Sequence, residues 1–354
     1  MKKNLYILSI VIFIFGCKPD NDPIISISND YGKGLYILTE DGVNFYDYKN
    51  NELKENIFST VNGLSLTNPS ALRNYSERMY IVTKSTLHVV DVDNFLSEFS
   101  VDGFDNAQDC EYAKFNRVYV SDKGSSEIKV VDLNTRDISA NIETGKNVNP
   151  SDIVLSWERA FVVNSGGDDP LNYDSTICSI NVKDGAIPIN EFSGNILVDK
   201  NPVSILHNGS VIVLCKGVYD ENNPVINEES SIVIVGSGSL NLQASNTLSG
   251  LYDADNLLIN NSGTKYYITT SEGVYFISTS SFAHTLVTDK KVPTSMIINR
   301  ESFANTDTTS LVVDFLYMND KDNKDYIYKY NVYLNQFVDS FQLNSEVIDL
   351  ELHE

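Results

Sequence analysis

The chain has 354 residues and a formal net charge of −22, with 48 acidic residues against 26 basic ones. This balance leaves no basic patch of the kind that binds a phosphate backbone, so nucleic acid is excluded as a partner. The length allows either one large domain or two ordinary ones, because length is only a prior on domain count.

Residues 1–16 have the pattern of an export signal. Lys2 and Lys3 form a positive start, residues 5–15 are apolar apart from Ser9, and Gly16-Cys17 follows where a signal peptide is cut. The apolar stretch is too short to span a bilayer, which needs about 20 residues. A cysteine after a small residue is typical of lipoprotein processing, in which the Cys17 thiol is acylated. The alternative is a secretory signal with a chance cysteine.

Residues 17–30 are interpreted as the acylated Cys17 and an acidic tether, because Asp20 and Asp22 follow the cysteine closely. Such a cluster resembles the surface-export signal of Bacteroidota lipoproteins, and a simple solvated tether is the alternative. We therefore expect an exported outer-membrane lipoprotein, exposed on the cell surface and held to the membrane through its lipid anchor only.

From residue 31 onward, one unit recurs: an apolar β-rich segment, a polar turn, and a second apolar run that ends near Asp. The clearest copy is RVYVSDKGSSEIKVVD at 117–132. A spacing of roughly 40–55 residues with strands and no convincing helix indicates a β-propeller. The other apolar segments, called anchors here, lie at 34–39, 78–83, 159–164, 210–215, 265–270 and 309–315.

A second series of strands alternates with the anchors, and each opens with a polar or proline-containing cue. We interpret these as the innermost strand of each blade, with the anchor as the second strand. The anchor at 34–39 has no such strand before it, and the strand at 345–352 has no anchor after it. Pairing of these two is predicted to close the ring, which removes the exposed sheet edges. The remaining innermost strands are predicted at 68–72, 106–112, 149–155, 201–206, 253–259 and 292–298. The sequence thus predicts one all-β, seven-bladed propeller over residues 31–354.

Residues 117–155 closely resemble the YVTN repeat of YncE-like β-propellers. They carry its Tyr-Val anchor, Gly/Ser turn, Val-Val-Asp strand, Asn-Thr pair and Ile-rich strand. Residues 34–72 look like the opening blade of Bacteroidota surface lipoproteins of this class. The resemblance covers nearly all of the chain after Cys17 and is specific mainly over 34–167.

That lipoprotein class includes cobalamin-capturing proteins that sit over a TonB-dependent transporter and pass on the ligand. The resemblance therefore implies surface capture of a scarce nutrient, such as a corrinoid, for a TonB-dependent outer-membrane transporter. It carries over no ligand-contact residue, because the chain shows no recognised cobalamin-contact motif.

No catalytic residue and no cofactor are predicted. The histidines have no acid or nucleophile at motif spacing, and the HExxH and GxSxG patterns do not occur. Asp320, Asp322 and Asp325 form a weak Ca²⁺ candidate on a short loop, where oxygen ligands alternate along the chain. A solvated hairpin turn is favoured there.

Ligand binding is the favoured function, and the propeller topology predicts where it occurs. Loops that enter the innermost strand and loops that join the second and third strands lie on one face. Two of the latter, 165–175 and 216–229, are long and belong to adjacent blades, and long loops in compact domains are often functional. The ligand contacts predicted on these loops are Asp168, Asp169, Tyr173, Tyr219, Asp220, Glu221 and Asn222.

A second set of candidate ligand contacts is predicted around the mouth of the central channel that the innermost strands of a propeller enclose: Asn68, Asn106, Asp109, Asn149, Asp152, Asn201 and Asp253. The alternative is that these side chains only cap strands and hold water. The sequence therefore favours a non-enzymatic propeller that captures a small ligand. A structural or adhesion propeller that binds glycan or protein, and an exported lactonase-like hydrolase, remain the alternatives.

Overall fold

The computed structural model describes residues 31–145, 148–165, 173–183, 189–303 and 311–354. These residues form seven four-stranded antiparallel sheets, the blades of a propeller, and confirm the predicted fold class. None of the helices within the described ranges has the length and apolar character needed to span a bilayer.

The strands are numbered in chain order, and the blades follow from their pairing. The first strands are β1 (Gly34–Thr39), β2 (Gly42–Asp47) and β3 (Glu52–Lys54), followed by the helix α1 (Ile57–Asn62). Blade 2 contains β4 (Pro69–Tyr75), β5 (Arg78–Thr83), β6 (Thr86–Asp91) and β7 (Ser97–Asp102). Blade 3 contains β8 (Ala107–Tyr112), β9 (Arg117–Asp122), β10 (Glu127–Asp132) and β11 (Asp137–Glu143). Blade 4 contains β12 (Asn149–Ser156), β13 (Arg159–Ser165), β14 (Thr176–Asn181) and β15 (Glu191–Leu197).

Three further blades follow in the same way. Blade 5 contains β16 (Pro202–Asn208), β17 (Ser210–Cys215), β18 (Ser231–Val235) and β19 (Leu242–Thr247). Blade 6 contains β20 (Asp255–Ile259), β21 (Lys265–Thr270), β22 (Gly273–Ser278) and β23 (His284–Thr288). Blade 7 contains β24 (Met296–Phe303), β25 (Leu311–Asp320), β26 (Asn323–Asn331) and β27 (Gln336–Gln342). The last strand is β28 (Val347–His353).

The ring closes through a composite blade 1, as predicted. Strand β28 lies innermost and pairs antiparallel with β1, with Leu35 opposite Leu352 and Ile37 opposite Leu350. Strands β2 and β3 complete the sheet. The chain ends are therefore joined by backbone hydrogen bonds, which closes the ring of seven separate sheets.

The second strand of each blade is an almost continuous apolar run because it is covered on both faces. Strand β9 is buried along its whole length, whereas in the outermost strand β11 exposed residues alternate with partly or fully buried ones. The core consists of clusters shared by adjacent blades, such as the one that contains Val82 of β5 and Val120 of β9. Anchor tyrosines such as Tyr36 and Tyr119 are fully buried in the core clusters and so pack the blades.

The helix α1 was not predicted from the sequence, which shows no helical period there. It fills the gap between blades 1 and 2, where Ile57 and Phe58 are buried in the core. Asn62 fixes its end, since its side-chain amide donates to the carbonyl of Phe95 at 3.0 Å. A helix of six residues is too short to be stable by itself. Tertiary burial, and not the local sequence pattern, therefore holds it.

The inner strands of blade 7 run further than predicted. The sequence indicated strands at 292–298 and 309–315, whereas β24 and β25 extend to a register in which Phe303 lies opposite Leu311. The extension is polar on the β24 side, around Arg300 and Glu301, so the apolar pattern gave no sign of it. Backbone pairing continues regardless of which side chains the strands carry.

Two faces follow from this topology and are named here by their connections. The entry face carries the loops into each innermost strand and those that join strands two and three; Pro69 and Thr83 pair at this end of blade 2. The exit face carries the turns that join strands one to two and three to four; Tyr75 and Arg78 pair at this end.

Candidate functional site

The asparagines predicted at the channel mouth form the turns into the innermost strands. The carbonyl of Asn68 accepts a hydrogen bond at 3.0 Å from the N–H of Lys84, which follows the second strand. The carbonyls of Asn106 and Asn201 accept in the same way from the N–H groups of Lys123 and Lys216. The carbonyl of Asn149 accepts from the hydroxyl of Ser165. Asn68, Asn201 and Asp253 have φ values of 50°, 52° and 56°, a region that Asn and Asp tolerate better than most residues. Backbone turn geometry therefore accounts for these positions. The Asn201 side-chain amide also donates to the Gly217 carbonyl at 2.7 Å, and Asp253 pairs with Lys216 at 2.7 Å.

The two predicted aspartates deeper in the channel join neighbouring blades. Asp109 Oδ2 accepts the N–H of Ile153 at 3.2 Å, and Asp152 Oδ2 accepts the N–H of Ile205 at 2.9 Å. Both N–H groups lie beside irregularities in the pairing of the first two strands, where the ladder leaves a donor without its regular partner. The same bond recurs between Asp349 and the N–H of Leu72, at 3.0 Å. These carboxylates thus hold the inner ring together.

Arg73 lies at the centre of this channel and was not singled out from the sequence. Its guanidinium forms ion pairs with Asp109 at 2.9 Å and with Asp349 at 2.6 Å, so it bridges the inner strands of blades 1 and 3. Burial opposes its charge, but the carboxylates of Asp109 and Asp349 raise the pKa of Arg73 well above its usual value.

Two glutamates in the channel hold protons near neutral pH. Burial, reinforced by Asp109, raises the pKa of Glu111 to about 7. Burial also raises the pKa of Glu351 to about 8, against the opposing effect of Arg73. The channel is therefore acidic in composition, but much of its charge is neutralised by Arg73 or by protonation.

A concave site beside the predicted loops is a cleft on the entry face between blades 4 and 5. It has a volume of about 730 Å³, within the range usual for small-molecule sites. Ser175, at the end of the first long loop, and Gly217, at the start of the second, both line it. The two long loops predicted to carry ligand contacts therefore meet at one cleft.

Hydroxyl, carboxylate and ammonium groups line the floor and one wall of this cleft. Asp199 Oδ2 accepts hydrogen bonds from the hydroxyls of Ser231 at 2.6 Å and Ser245 at 2.5 Å. Lys200 is ion-paired with Glu228, which raises the pKa of Lys200. The side chains that face a ligand are thus already oriented by their neighbours before anything binds.

Two tyrosines predicted from the sequence flank the cleft. The ring centroid of Tyr173 lies 4.5 Å from Nζ of Lys200, and the ring of Tyr219 lies 6.4 Å from that of Tyr252, a lining residue. Leu197 adds an exposed apolar surface to the rim. The cleft therefore offers aromatic and apolar surface beside its polar floor.

The second long loop is pinned at its base. Val218 and Glu228 form a β-bridge, with hydrogen bonds of 3.3 and 2.8 Å between their backbones. Gly217 has φ 78°, and a Cβ at this position would come within 2.3 Å of the carbonyl oxygen of Glu228. Only glycine allows this close approach, so the loop holds one wall of the cleft in place.

The remaining loop predictions do not line the cleft. Asp220 accepts the N–H of Asn222 at 2.8 Å in a tight turn, and Glu221 and Asn222 are exposed at the loop surface. Asp168, Asp169 and the acylation candidate Cys17 lie outside the described residues. Asp199, Lys200, Ser231, Ser245 and Tyr252 were missed, because nothing in the sequence distinguishes them from ordinary strand-end residues.

The weak Ca²⁺ candidate is not formed as a site. Asp320 pairs with Lys291 at 2.7 Å, and Asp325 accepts a hydrogen bond from the Gln342 amide at 2.7 Å. Asp320 and Asn323 pair directly, so Asp322 lies in a tight hairpin turn. Within the described ranges, no group of three or more His, Cys, Asp or Glu side chains could hold a metal ion.

The described histidines lie apart from the cleft. His88 packs edge-on to Phe58, with ring centroids 5.4 Å apart, and His353 contacts Asn74 at 3.1 Å. The residues lining the cleft include no histidine.

Residues 33–188 match the model of a family described as a domain of unknown function (DUF5074). This segment covers the composite blade's N-terminal strands and most of blades 2 to 4. No curated protein matches the sequence.

Solved structures with the same architecture share little sequence with this chain. A candidate 6-phosphogluconolactonase from Bacteroides uniformis is 12% identical, with a TM-score of 0.61 over 91% of this chain and 99% of its own. A quinonprotein alcohol dehydrogenase-like protein from Bacteroides thetaiotaomicron is 13% identical, with a TM-score of 0.59 over 91% and 76%. The Cps50 (Swd1) β-propeller domain of Myceliophteria thermophila is 9% identical, with a TM-score of 0.57 over 81% and 90%. At this identity the similarity shows the propeller fold and no more, since propellers host many activities.

Proposed function

We propose that this propeller is an exported binding protein that captures a small ligand in the cleft between blades 4 and 5. The observation that carries the proposal is that both long loops of adjacent blades end at one cleft of about 730 Å³. The cleft combines a tyrosine-flanked rim with a pre-oriented polar floor, the combination that small-molecule sites generally use. In this proposal the chain binds without chemical turnover.

The class of ligand and the partner are proposed from the sequence resemblance. A corrinoid or another scarce nutrient is proposed as the ligand, and transfer to a TonB-dependent outer-membrane transporter follows the resemblance to nutrient-capturing lipoproteins. The export signal predicted at residues 1–16 and the candidate acylation site Cys17 favour a location on the outer membrane. Val225, at the tip of the second loop, is 93% exposed and offers an apolar contact for such a partner.

The first test is a thermal-shift screen of the purified protein against cobalamins, haem, siderophores, oligosaccharides and Ca²⁺. A ligand at 100 times its dissociation constant stabilises the folded state by about 2.7 kcal/mol, which raises the melting temperature measurably. Lys200→Ala in the cleft should reduce the shift, because the lining ammonium is lost. Lys324→Ala is the matched control, since it also breaks an exposed Lys–Glu pair but lies in blade 7.

A shift that survives Lys200→Ala and also survives shortening of the loop 216–229 would place binding elsewhere and contradict the cleft. No shift with any member of the panel would reject capture of those compounds and favour a protein partner.

A further inference from the structure

A second concave site lies on the exit face, between blades 2 and 3, and nothing above assigns it. It has a volume of about 350 Å³. Tyr75, at the end of β4, and Tyr112, at the end of β8, stack almost parallel there, with centroids 3.9 Å apart and planes 12° apart. Tyr75 is 46% exposed. The pair therefore forms a flat aromatic platform with one open side.

Aromatic residues recur at the same turn of the next two blades. Phe115, between β8 and β9, is 52% exposed, and Trp157, between β12 and β13, is 73% exposed. The two turns touch, because Nζ of Lys114 donates to the carbonyl of Trp157. The platform and these two side chains are called the aromatic arc below.

The arc residues are not what these turns require. Phe115 and Trp157 have φ of 52° and 57°, in the left-handed region that costs a bulky residue roughly 1–2 kcal/mol. The equivalent turns of blades 5 and 6 use Gly209 and Gly263, with φ of 72° and 68°. Strained exposed residues cluster at functional sites, and here glycine would serve the turn better. The turns themselves therefore do not require aromatic side chains. Phe115 also contacts the Arg117 guanidinium, 5.3 Å from its ring centroid, and still leaves about half of its surface exposed.

Planar polar side chains surround the platform. Arg78 holds Glu98 through two hydrogen bonds, of 2.9 and 2.7 Å, and Asn116 and Asp91 complete the rim. The lining residues include three acids, Glu77, Asp91 and Glu98, and one base, Arg78, so their formal charges sum to −2. Such a site repels anions. It still offers both donors and acceptors to an uncharged ligand that carries hydroxyl groups.

We propose that the aromatic arc binds a neutral saccharide. The apolar C–H face of one sugar ring would stack on Tyr75, while its hydroxyls bond with Arg78, Glu98 and Asn116. An oligosaccharide would continue towards Phe115 and Trp157. A cationic ligand would also be attracted by the ring face and by the charge of −2. Its binding would depend on ion pairing and would weaken in salt, which separates it from a neutral saccharide. The site lies on the face opposite the cleft, so both sites can be filled together.

Affinity electrophoresis of the purified protein tests this proposal, in gels containing soluble starch, mannan, galactan, mixed-linkage β-glucan or xylan. Migration should be slowed by at least one of these neutral polysaccharides. Tyr75→Ala and Trp157→Ala should weaken the retardation at least fivefold, whereas Tyr75→Phe keeps the platform and should retain it. Tyr333→Ala is the matched control, since Tyr333 is 73% exposed on the same face of blade 7.

Lack of retardation in every gel would overturn the proposal, and so would retardation that Tyr75→Ala leaves unchanged. Retardation abolished by moderate salt would also overturn it, because binding of a neutral saccharide does not depend on ion pairing. The cleft variant Lys200→Ala should migrate like the unmodified protein. The result therefore does not depend on whether the cleft between blades 4 and 5 captures its own ligand. A melting curve for each variant checks that the variant is folded.

Discussion

At the scale of single residues, the channel shows how an acidic chain places carboxylates near its axis. Three carboxylates accept hydrogen bonds from backbone N–H groups of neighbouring blades: those of Asp109, Asp152 and Asp349. Arg73 compensates the negative charges of Asp109 and Asp349. Buried carboxylates with these partners are structural, since each satisfies a donor that the strand ladder does not. These charged residues therefore have a structural role among the inner strands.

Replacement of Arg73 by Met should destabilise the fold. Two carboxylates of the channel would lose their counter-charge, which costs about 3 kcal/mol at neutral pH. Thermal unfolding at neutral pH measures this effect. Arg78→Met, which breaks the more exposed pair with Glu98, should cost less than about 1 kcal/mol. Equal effects of the two variants would contradict the role given to Arg73.

The stability of the protein should fall as the pH rises from 5 to 9. The pKa values of Glu111 and Glu351 are raised to about 7 and 8, above the ordinary 4.5, so the folded state keeps protons that the unfolded state has released. Their contribution is therefore complete below pH 4.5 and is lost as the pH rises through the folded-state pKa values. Glu351→Gln should reduce the difference in melting temperature between pH 5 and pH 9. Glu143→Gln, exposed on β11, should leave it unchanged, and an equal effect of both would reject this origin.

At the scale of elements, the sequence predicted the strands better than their connections. The anchors were found because a strand buried on both faces must be apolar throughout, and this is visible without a structure. The helix α1 and the longer hairpin of blade 7 were missed, because burial of two side chains and backbone pairing decide them. The long loops were recognised by length alone, which identified the cleft's position but not its lining.

Gly217→Ala should loosen the second long loop. The added Cβ would come within 2.3 Å of the Glu228 carbonyl, and φ is 78°, so the bridge between Val218 and Glu228 should open. Limited proteolysis should then cut the 216–229 loop faster than in the unmodified chain. Gly250→Ala is the control, because Gly250 has φ 79° but no atom within 4 Å of the added Cβ. Equal cleavage of both variants would mean that backbone strain, and not the contact with Glu228, matters.

At the scale of the whole molecule, closure of the ring depends on its last strand. Strand β28 pairs with β1 and supplies both Asp349 and Glu351 to the channel. The blades also pack through clusters shared between neighbours, so opening one junction exposes apolar surface on two blades. The termini are therefore as important to stability as any internal blade.

Removal of residues 345–354 should prevent the ring from closing. The edge of β1 would lose its partner, and unpaired edges promote association between chains. Size-exclusion chromatography and thermal unfolding should show an aggregated or strongly destabilised protein. Removal of Glu354 alone is the control, because Glu354 lies outside β28, and it should leave the melting temperature and the elution volume unchanged. A monomeric truncated protein with an unchanged melting temperature would show that the other blade contacts suffice.

The sequence by itself determined the propeller, its seven blades and the composite blade that closes it. Strands covered on both faces require apolar runs, and each repeat shows one. It also placed the long loops on one face, because strand direction alternates along the chain. Only the tertiary structure brought Asp199, Lys200, Ser231 and Tyr252 to one cleft and stacked Tyr75 on Tyr112. These contacts join residues of different strands or blades, and their geometry depends on how the strands and blades pack, which no local pattern encodes.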